Sequence, residues 1–341
     1  MSMRYYLRRL AQAVITFITA MFITYSLYRF IPGGPIQQMQ NELIRRAAAQ
    51  GRAVNPERIA RLVEADTGIN PDQGVIVAFI GYIQHILQGE FGQSIVYNRG
   101  VFKILFGAMP WSMFIQSYGL VLGLSTQILL GSLMAWKEGS KLDKGLTVFV
   151  MGLNSIPYYV VAIVALVFFG FQWNLLPTGG RYPSSATPGF NLPFMIGIVK
   201  HAILPVMSAY IVGVGFGAVQ MRGLGVSVIG SDYLRSARIR GLSSNRILTR
   251  YVARNTVLPI YTGIVIGIAA LFSSSVVTEQ IFQYVGVGWY IFDAVRLQDY
   301  PLVMGAFIFF VGLTIIGILI ADLTYGLIDP RAGSPGEREA Y

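Results

Sequence analysis

Six stretches of the chain carry no Asp, Glu, Lys or Arg over a length that suits a bilayer: Leu10 to Tyr28, Ile104 to Trp136, Gly145 to Gly180, His201 to Met221, Asn255 to Thr278 and Tyr300 to Ala321. A hydrocarbon core of about 30 Å takes roughly 20 apolar residues in a helix, so each stretch predicts a transmembrane helix. The third is long enough for a span followed by a Pro-containing loop after about Phe171. A seventh apolar segment, Gly74 to Gln88, has about 15 residues and would reach about 22 Å as a helix, too short to span. Gln84, His85 and two glycines interrupt it, and it predicts an interfacial or protein-packed helix. The expected fold is an all-α polytopic membrane protein with six transmembrane helices. An extracytoplasmic subdomain lies between helices 1 and 2, and a cytoplasmic loop between helices 4 and 5.

Composition agrees with a membrane protein. Of 341 residues, 54% are hydrophobic and 12% charged, about half the charge of an ordinary soluble protein, roughly 25%. The net charge of +10 falls between the apolar stretches, as at a membrane surface rather than on nucleic acid. Arg4, Arg8 and Arg9 precede the first stretch, whose length of about 18 residues exceeds a usual signal-peptide core. It is followed by Arg29-Phe30-Ile31-Pro32 rather than a small-x-small cleavage site, so an uncleaved helix is expected. With that N-terminus inside, Lys137, Lys141 and Lys144, seven arginines between Arg222 and Arg254, and Arg331 and Arg338 also fall inside. Only Arg181, Lys200 and Arg296 occupy short outer loops, which predicts both termini cytoplasmic. With no Cys, disulfides, thiolate metal sites and Cys nucleophiles are excluded.

The chain divides into an N-terminal tail and first helix (1–31), an outer subdomain (32–103) and a five-helix core (104–341) with a basic loop at 222–254. Within the subdomain, Asn55-Pro56-Glu57 reads as an N-cap, a Pro at the first helical position and an acidic first turn, and Gly68 closes that helix. The subdomain suits either a cap over the bundle or a docking surface for an external partner. In the basic loop, Asp232 or Ser231 can cap a helix carrying Leu234, Ala237 and Ile239 among Arg235, Arg238 and Arg240. Gly241 breaks it at a left-handed position, and Ser243 or Ser244 can cap a second helix bearing Ile247, Leu248, Tyr251 and Val252. Two short helices around a Gly elbow can project a compact knob. A charged loop is ordinarily just a solvated face, and these residues alone leave both readings open.

The run SARIRGLSSNRILTRYVARNTVLP resembles the cytoplasmic "EAA" loop of ABC-importer permease subunits, in the form used by the dipeptide, oligopeptide and nickel group. Arg235, Ser236 and Ala237 stand on the Glu-Ala-Ala positions, with Gly241 as anchor; only the second Ala and the Gly match literally. Pro259 lies at the longer spacing of the peptide group. The opening YYLRRLAQAVITFITAMFITYSLYRFIPGGP, the stretch GINPDQGVIVAFIGYIQHILQGEFGQSIVYNRGV, SIPYYVVAIVALVFFGFQWNLLPTGGR, HAILPVMSAY, VVTEQIFQYVGVGWYIFDAVRLQDYPLVMG and ADLTYGLIDPR follow the group's order over about 320 residues, Ile36 to Leu62 being least similar. The resemblance implies the first of two permease subunits in an importer for di- or oligopeptides, working by alternating access. Its implied partners are a second, homologous permease, two ATPase subunits at the cytoplasmic face and an extracytoplasmic binding protein. Arg235, Ser236, Ala237, Arg238, Arg240, Gly241, Leu242, Ser243 and Arg246 would then be the ATPase-coupling residues. ATP and Mg would be bound by the partner subunits, since the chain has no G-x-x-x-x-G-K-S/T loop.

The remaining residues predict no enzyme. His85 and His201 are the two histidines, without H-E-x-x-H or G-x-S-x-G context. No ionisable residue is expected in mid-span; Glu279 and Asp322 are placed near helix ends, within reach of water or a partner. That argues against a proton- or sodium-coupled carrier. Gly213, Gly215 and Gly217, with Gly263 and Gly267, predict close helix packing, and Pro157 and Pro205 predict kinks. An oligosaccharide importer of the same group is an alternative substrate reading, and a standalone channel or secondary carrier an alternative class. Nickel is disfavoured because the spans lack a His or carboxylate cluster.

Overall fold

The computed structural model describes residues 3–30, 35–51, 55–67, 73–229, 232–243, 264–265, 267–268, 271 and 275–328. Twelve helices are named here: α1 (Met3–Phe30), α2 (Pro35–Ala49), α3 (Pro56–Thr67), α4 (Val75–Leu87), α5 (Val101–Trp136), α6 (Lys141–Asn154), α7 (Tyr158–Ala165), α8 (Leu192–Ile229), α9 (Asp232–Ile239), α10 (Val276–Ile281), α11 (Val287–Arg296) and α12 (Tyr300–Ile328). A π-helical segment, Leu166–Gln172, continues α7. Among the described residues, β pairing is confined to one isolated bridge, Gln93 to Gly100.

Four helices, α1, α5, α8 and α12, are long and apolar enough to cross a membrane. The third apolar stretch is not a straight span. It breaks at Ser155-Ile156-Pro157, and α6 and α7 meet at 84°. Pro157 offers no N–H to continue the helix and disfavours α geometry at Ile156, so the predicted kink is a full break. Pro205 and Pro110, by contrast, lie inside continuous helices. The fourth span is longer than its charge-free stretch, running from Leu192 through Lys200 and Arg222 to Ile229. Lys200 and Arg222 are therefore helical rather than in loops. Most of the fifth stretch, with Gly263, lies outside the described residues.

The core sits between helices far apart in sequence. α5 pairs most extensively with α8, α6 and α7 also lie on α8, and α1 packs along α12. Met134, Val150 and Ala218 join α5, α6 and α8; Ile115, Ala162, Ala202, Leu204 and Val206 join α5, α7 and α8 with Phe282 and Tyr284. Glycines permit the close approach. A Cβ at Gly215 would strike the Val150 carbonyl, one at Gly217 the Gln127 side chain, and one at Gly267 Leu120, whereas Gly213 faces open space.

Between α1 and α5, Asn55 caps α3 as predicted, its Oδ1 accepting from Arg58 N at 3.3 Å. Ile36, Ile59 and Val63 from α2 and α3 pack with Ala78, Tyr82 and Ile86 of α4 against Met21 and Tyr25 of α1 and Met304 and Ile308 of α12. The short helix α4 is thus protein-packed on one face, while Ile76, Val77, Ile80 and Leu87 remain exposed on the other. Arg29 donates to the Tyr25 hydroxyl (2.7 Å) and the Gln73 carbonyl (2.6 Å), tying the end of α1 to the entry of α4.

Candidate functional site

Of the predicted two-helix knob, the described residues include the first helix and its Gly turn. α8 ends at Ile229 and α9 begins at Asp232, with Asp232 in the acidic first turn, favourable at a helix N-terminus. Leu234 and Ala237 are buried against Val228 at the end of α8 and against Leu242. Ser236, Ile239 and Arg240 are exposed, Ile239 at 80%.

The helix ends where expected. Gly241 has φ +74°, the left-handed conformation that glycine adopts without the Cβ penalty. The Leu242 N–H donates to the Ala237 carbonyl at 3.3 Å, and Leu242 folds back on Leu234 and Ala237. That bond and apolar contact make a Schellman ending. Arg235 and Arg238 are on α9; Ser243 follows it, exposed. Arg246 and the predicted second helix, with Ser244, Ile247, Leu248, Tyr251 and Val252, lie outside the described residues. The arrangement is therefore a short helix held by an apolar inner face, offering Ser236, Ile239, Arg240 and Gly241 outward.

Three polar contacts that the sequence did not disclose join residues far apart in the chain. Near the start of α6, Asp143 is 2% exposed and accepts two bonds from Arg222 of α8, Nε to Oδ1 at 2.6 Å and Nη2 to Oδ2 at 2.7 Å. Ser140 caps the same turn, its Oγ accepting from Asp143 N at 3.2 Å, while Asp143 Oδ2 accepts from Gly139 N at 3.0 Å. The Ser-x-x-Asp spacing was a readable cap signal; its use as an ion-pair partner was not.

Glu279 corrects an expectation. It is fully buried rather than within reach of water. Its carboxylate accepts from the Ser112 hydroxyl (2.7 Å) and Trp289 N (2.9 Å), and Val287 N donates to Ser112 Oγ (2.9 Å). A Cβ at Gly286 would collide with Ser112 Oγ and the Glu279 carboxylate, so glycine there admits the carboxylate. A helix-end position and an apolar neighbourhood look alike in sequence whether the group faces solvent or closes inward.

Asp299 is the third. It is fully buried, accepts from the Ser94 hydroxyl and from Ile95 N and Val96 N (both 3.2 Å), and reaches Leu302 N at 3.4 Å in the first turn of α12. Beside it the Tyr97 hydroxyl donates to Asp293 at 2.6 Å. Burial, then the Asp293 carboxylate, push the Tyr97 phenol above its ordinary range. Of the histidines, His85 contacts Glu90 at 2.8 Å and His201 Nδ1 meets the Gly197 carbonyl at 2.7 Å. Because a carbonyl only accepts, His201 Nδ1 carries a proton. The side chain of Asp322 lies outside the description.

Residues 127–334 match the family described as "Binding-protein-dependent transport system inner membrane component". Among individual proteins, the di/tripeptide transport system permease protein DppB of Pseudomonas aeruginosa (strain UCBPP-PA14) is 27% identical over 337 residues, covering 95% of this chain and 97% of its own length. The dipeptide transport system permease protein DppB of Escherichia coli (strain K12) is 27% identical over 345 residues, covering 96% and 98%. The oligopeptide transport system permease protein AppB of Bacillus subtilis (strain 168) is 27% identical over 329 residues, with the same coverage. The matched region takes in α6 to α12, with the knob at its middle, so the chain belongs to the family of binding-protein-dependent transport system inner membrane components.

Proposed function

We propose that this protein is the substrate-translocating subunit of an ATP-driven importer of di- or oligopeptides. The observation that carries the reading is α9: a short helix with a buried Leu234–Ala237 face, closed at Gly241, that offers Ser236, Ile239 and Arg240 to a partner. Relatives spanning nearly the whole chain are named as di-, tri- and oligopeptide permeases, which supports peptide as the substrate class.

In this reading six spans cross the membrane, both termini face the cytoplasm, and α9 is the coupling helix of two ATPase subunits that hold ATP and Mg. A second, homologous permease completes the path, and an extracytoplasmic binding protein delivers peptide to the side bearing α2 to α4. Closure of the ATPases rocks α9 and the helix it extends, switching the path between inward- and outward-facing states.

Affinity purification from native membranes in mild detergent tests the assembly. Wild type is expected to recover ATPase-type chains and a second permease, and Gly241→Asp to lose the ATPases. Recovery of the chain alone, under conditions that preserve other membrane complexes, would overturn the reading in favour of a self-contained channel or carrier.

A further inference from the structure

The ion pair between Asp143 and Arg222 occupies a position that the docking role of α9 leaves unexplained. Arg222 sits about 10 Å along α8 from its end at Ile229, and only residues 230–231 separate that end from α9. Asp143 sits in the first turn of α6, the helix that leads into the 84° break before α7. Two turns along α6 from Asp143 and two turns along α8 from Arg222, the Val150 carbonyl lies directly over Gly215. The two helices are therefore fixed to each other at two levels, a charged clasp at one and a backbone contact at the other. Met134, Val150 and Ala218 fill the space between them and α5. On the α5 side, Gly131 meets Met221, and Gly225 meets Ala135 at 2.6 Å from a built Cβ.

Taking the importer reading as its basis, we propose that Asp143 is a positioning residue of the transport cycle: clasped to Arg222, it makes α6 follow α8 and the coupling helix as one body. Motion received at α9 is then delivered to the break at Ser155-Ile156-Pro157. A bidentate guanidinium–carboxylate pair suits the task because it fixes orientation as well as distance. Because α6 and α7 meet at a steep angle, displacement along α6 becomes sideways displacement at α7. The competing role for Asp143 is local, as the acceptor that caps the α6 turn through Gly139 N. Asparagine can still accept that bond but cannot form the ion pair, so Asp143→Asn separates the two.

The test uses the whole importer, this chain with its second permease, ATPases and binding protein, reconstituted in proteoliposomes. Uptake of radiolabelled alanine dipeptide and alanine pentapeptide is read against ATP hydrolysis. Asp143→Asn is expected to lower peptide moved per ATP about tenfold, with hydrolysis and subunit recovery within about twofold of wild type. The reversed pair, Asp143→Arg with Arg222→Asp, restores the ion pair without the Gly139 bond and is expected to recover transport per ATP to within about threefold. An unchanged ratio in Asp143→Asn, whether both activities fall together or neither does, overturns the proposal. So does a reversed pair that recovers nothing, or failure of assembly in both Asp143→Asn and Arg222→Gln, which would assign the pair to folding. A wild-type complex that assembles and hydrolyses ATP but moves neither peptide overturns the substrate reading and this proposal together.

Discussion

Ser94 and Asp299 stand 205 positions apart in the chain, yet the Ser94 hydroxyl donates to the Asp299 carboxylate in a fully buried site. The bond joins the last turn of the segment between α4 and α5 to the turn between α11 and α12. Ile95 N and Val96 N donate to the same carboxylate, so one buried side chain satisfies a cluster of donors. Removing the acceptor leaves those donors unpaired. Asp299→Ala is expected to lower stability by about 2–4 kcal/mol, measured as a drop in the detergent-solubilised melting temperature. Ser94→Ala, which removes one donor to Asp299 and the acceptor of Tyr97 N, is expected to cost less, since Ile95 N and Val96 N still pair with the carboxylate.

Glu279 makes a similar prediction with a sharper internal control. Glu279→Gln keeps an acceptor for Ser112 or Trp289 and its volume, and is expected to fold. Glu279→Ala leaves Ser112 and Trp289 N without their acceptor and opens a void, with an expected cost of about 2–3 kcal/mol. Gly286→Ala is expected to behave like Glu279→Ala, because its methyl group needs the space of the carboxylate. Thermal unfolding of the three variants checks the ordering.

At the knob, Gly241 is required for its backbone angle and not for space, since a built Cβ meets nothing within 4 Å. Gly241→Ala is therefore expected to weaken the ending of α9 by about 1 kcal/mol, and Gly241→Asn by less, because Asn enters the left-handed region more readily. The readout is recovery of ATPase subunits on purification, which should fall in the order wild type, Asn, Ala. Equal recovery for all three would count against a docking role for this turn.

Neighbouring glycines of α8 separate packing from propensity. Gly215→Ala pushes a methyl into the Val150 carbonyl and is expected to destabilise by about 1–3 kcal/mol. Gly213→Ala meets open space and is expected to be neutral or to stabilise by up to about 1 kcal/mol. Melting temperatures of the pair decide the point. Sequence marked both alike for close helix packing and could not rank them, because the ranking depends on which faces α6.

The features legible in the sequence were local ones. Asn55-Pro56-Glu57 starts α3 because a cap and a preset φ act within one turn, and Gly241 ends α9 because the left-handed angle selects glycine there. Apolar length placed α1, α5, α8 and α12. The edges were less secure. A search for charge-free residues stops at Lys200 and Arg222, while the helix continues through both, since backbone hydrogen bonding takes no account of side-chain charge. The same limit hid the break in the third stretch, where Pro157 was visible but the 84° turn depends on how α6 and α7 each pack against α8.

What the sequence determined by itself was the class of the protein, a helical membrane subunit with a Gly-ended basic knob, because apolar length, turn chemistry and charge distribution are written residue by residue. What only the tertiary structure decided was the pairing of Asp143 with Arg222, Glu279 with Ser112 and Asp299 with Ser94. Each acid looked alike in sequence, a carboxylate near the end of an apolar run. Their partners lie far along the chain, and only folding brings a buried carboxylate to the donors that make its burial tolerable.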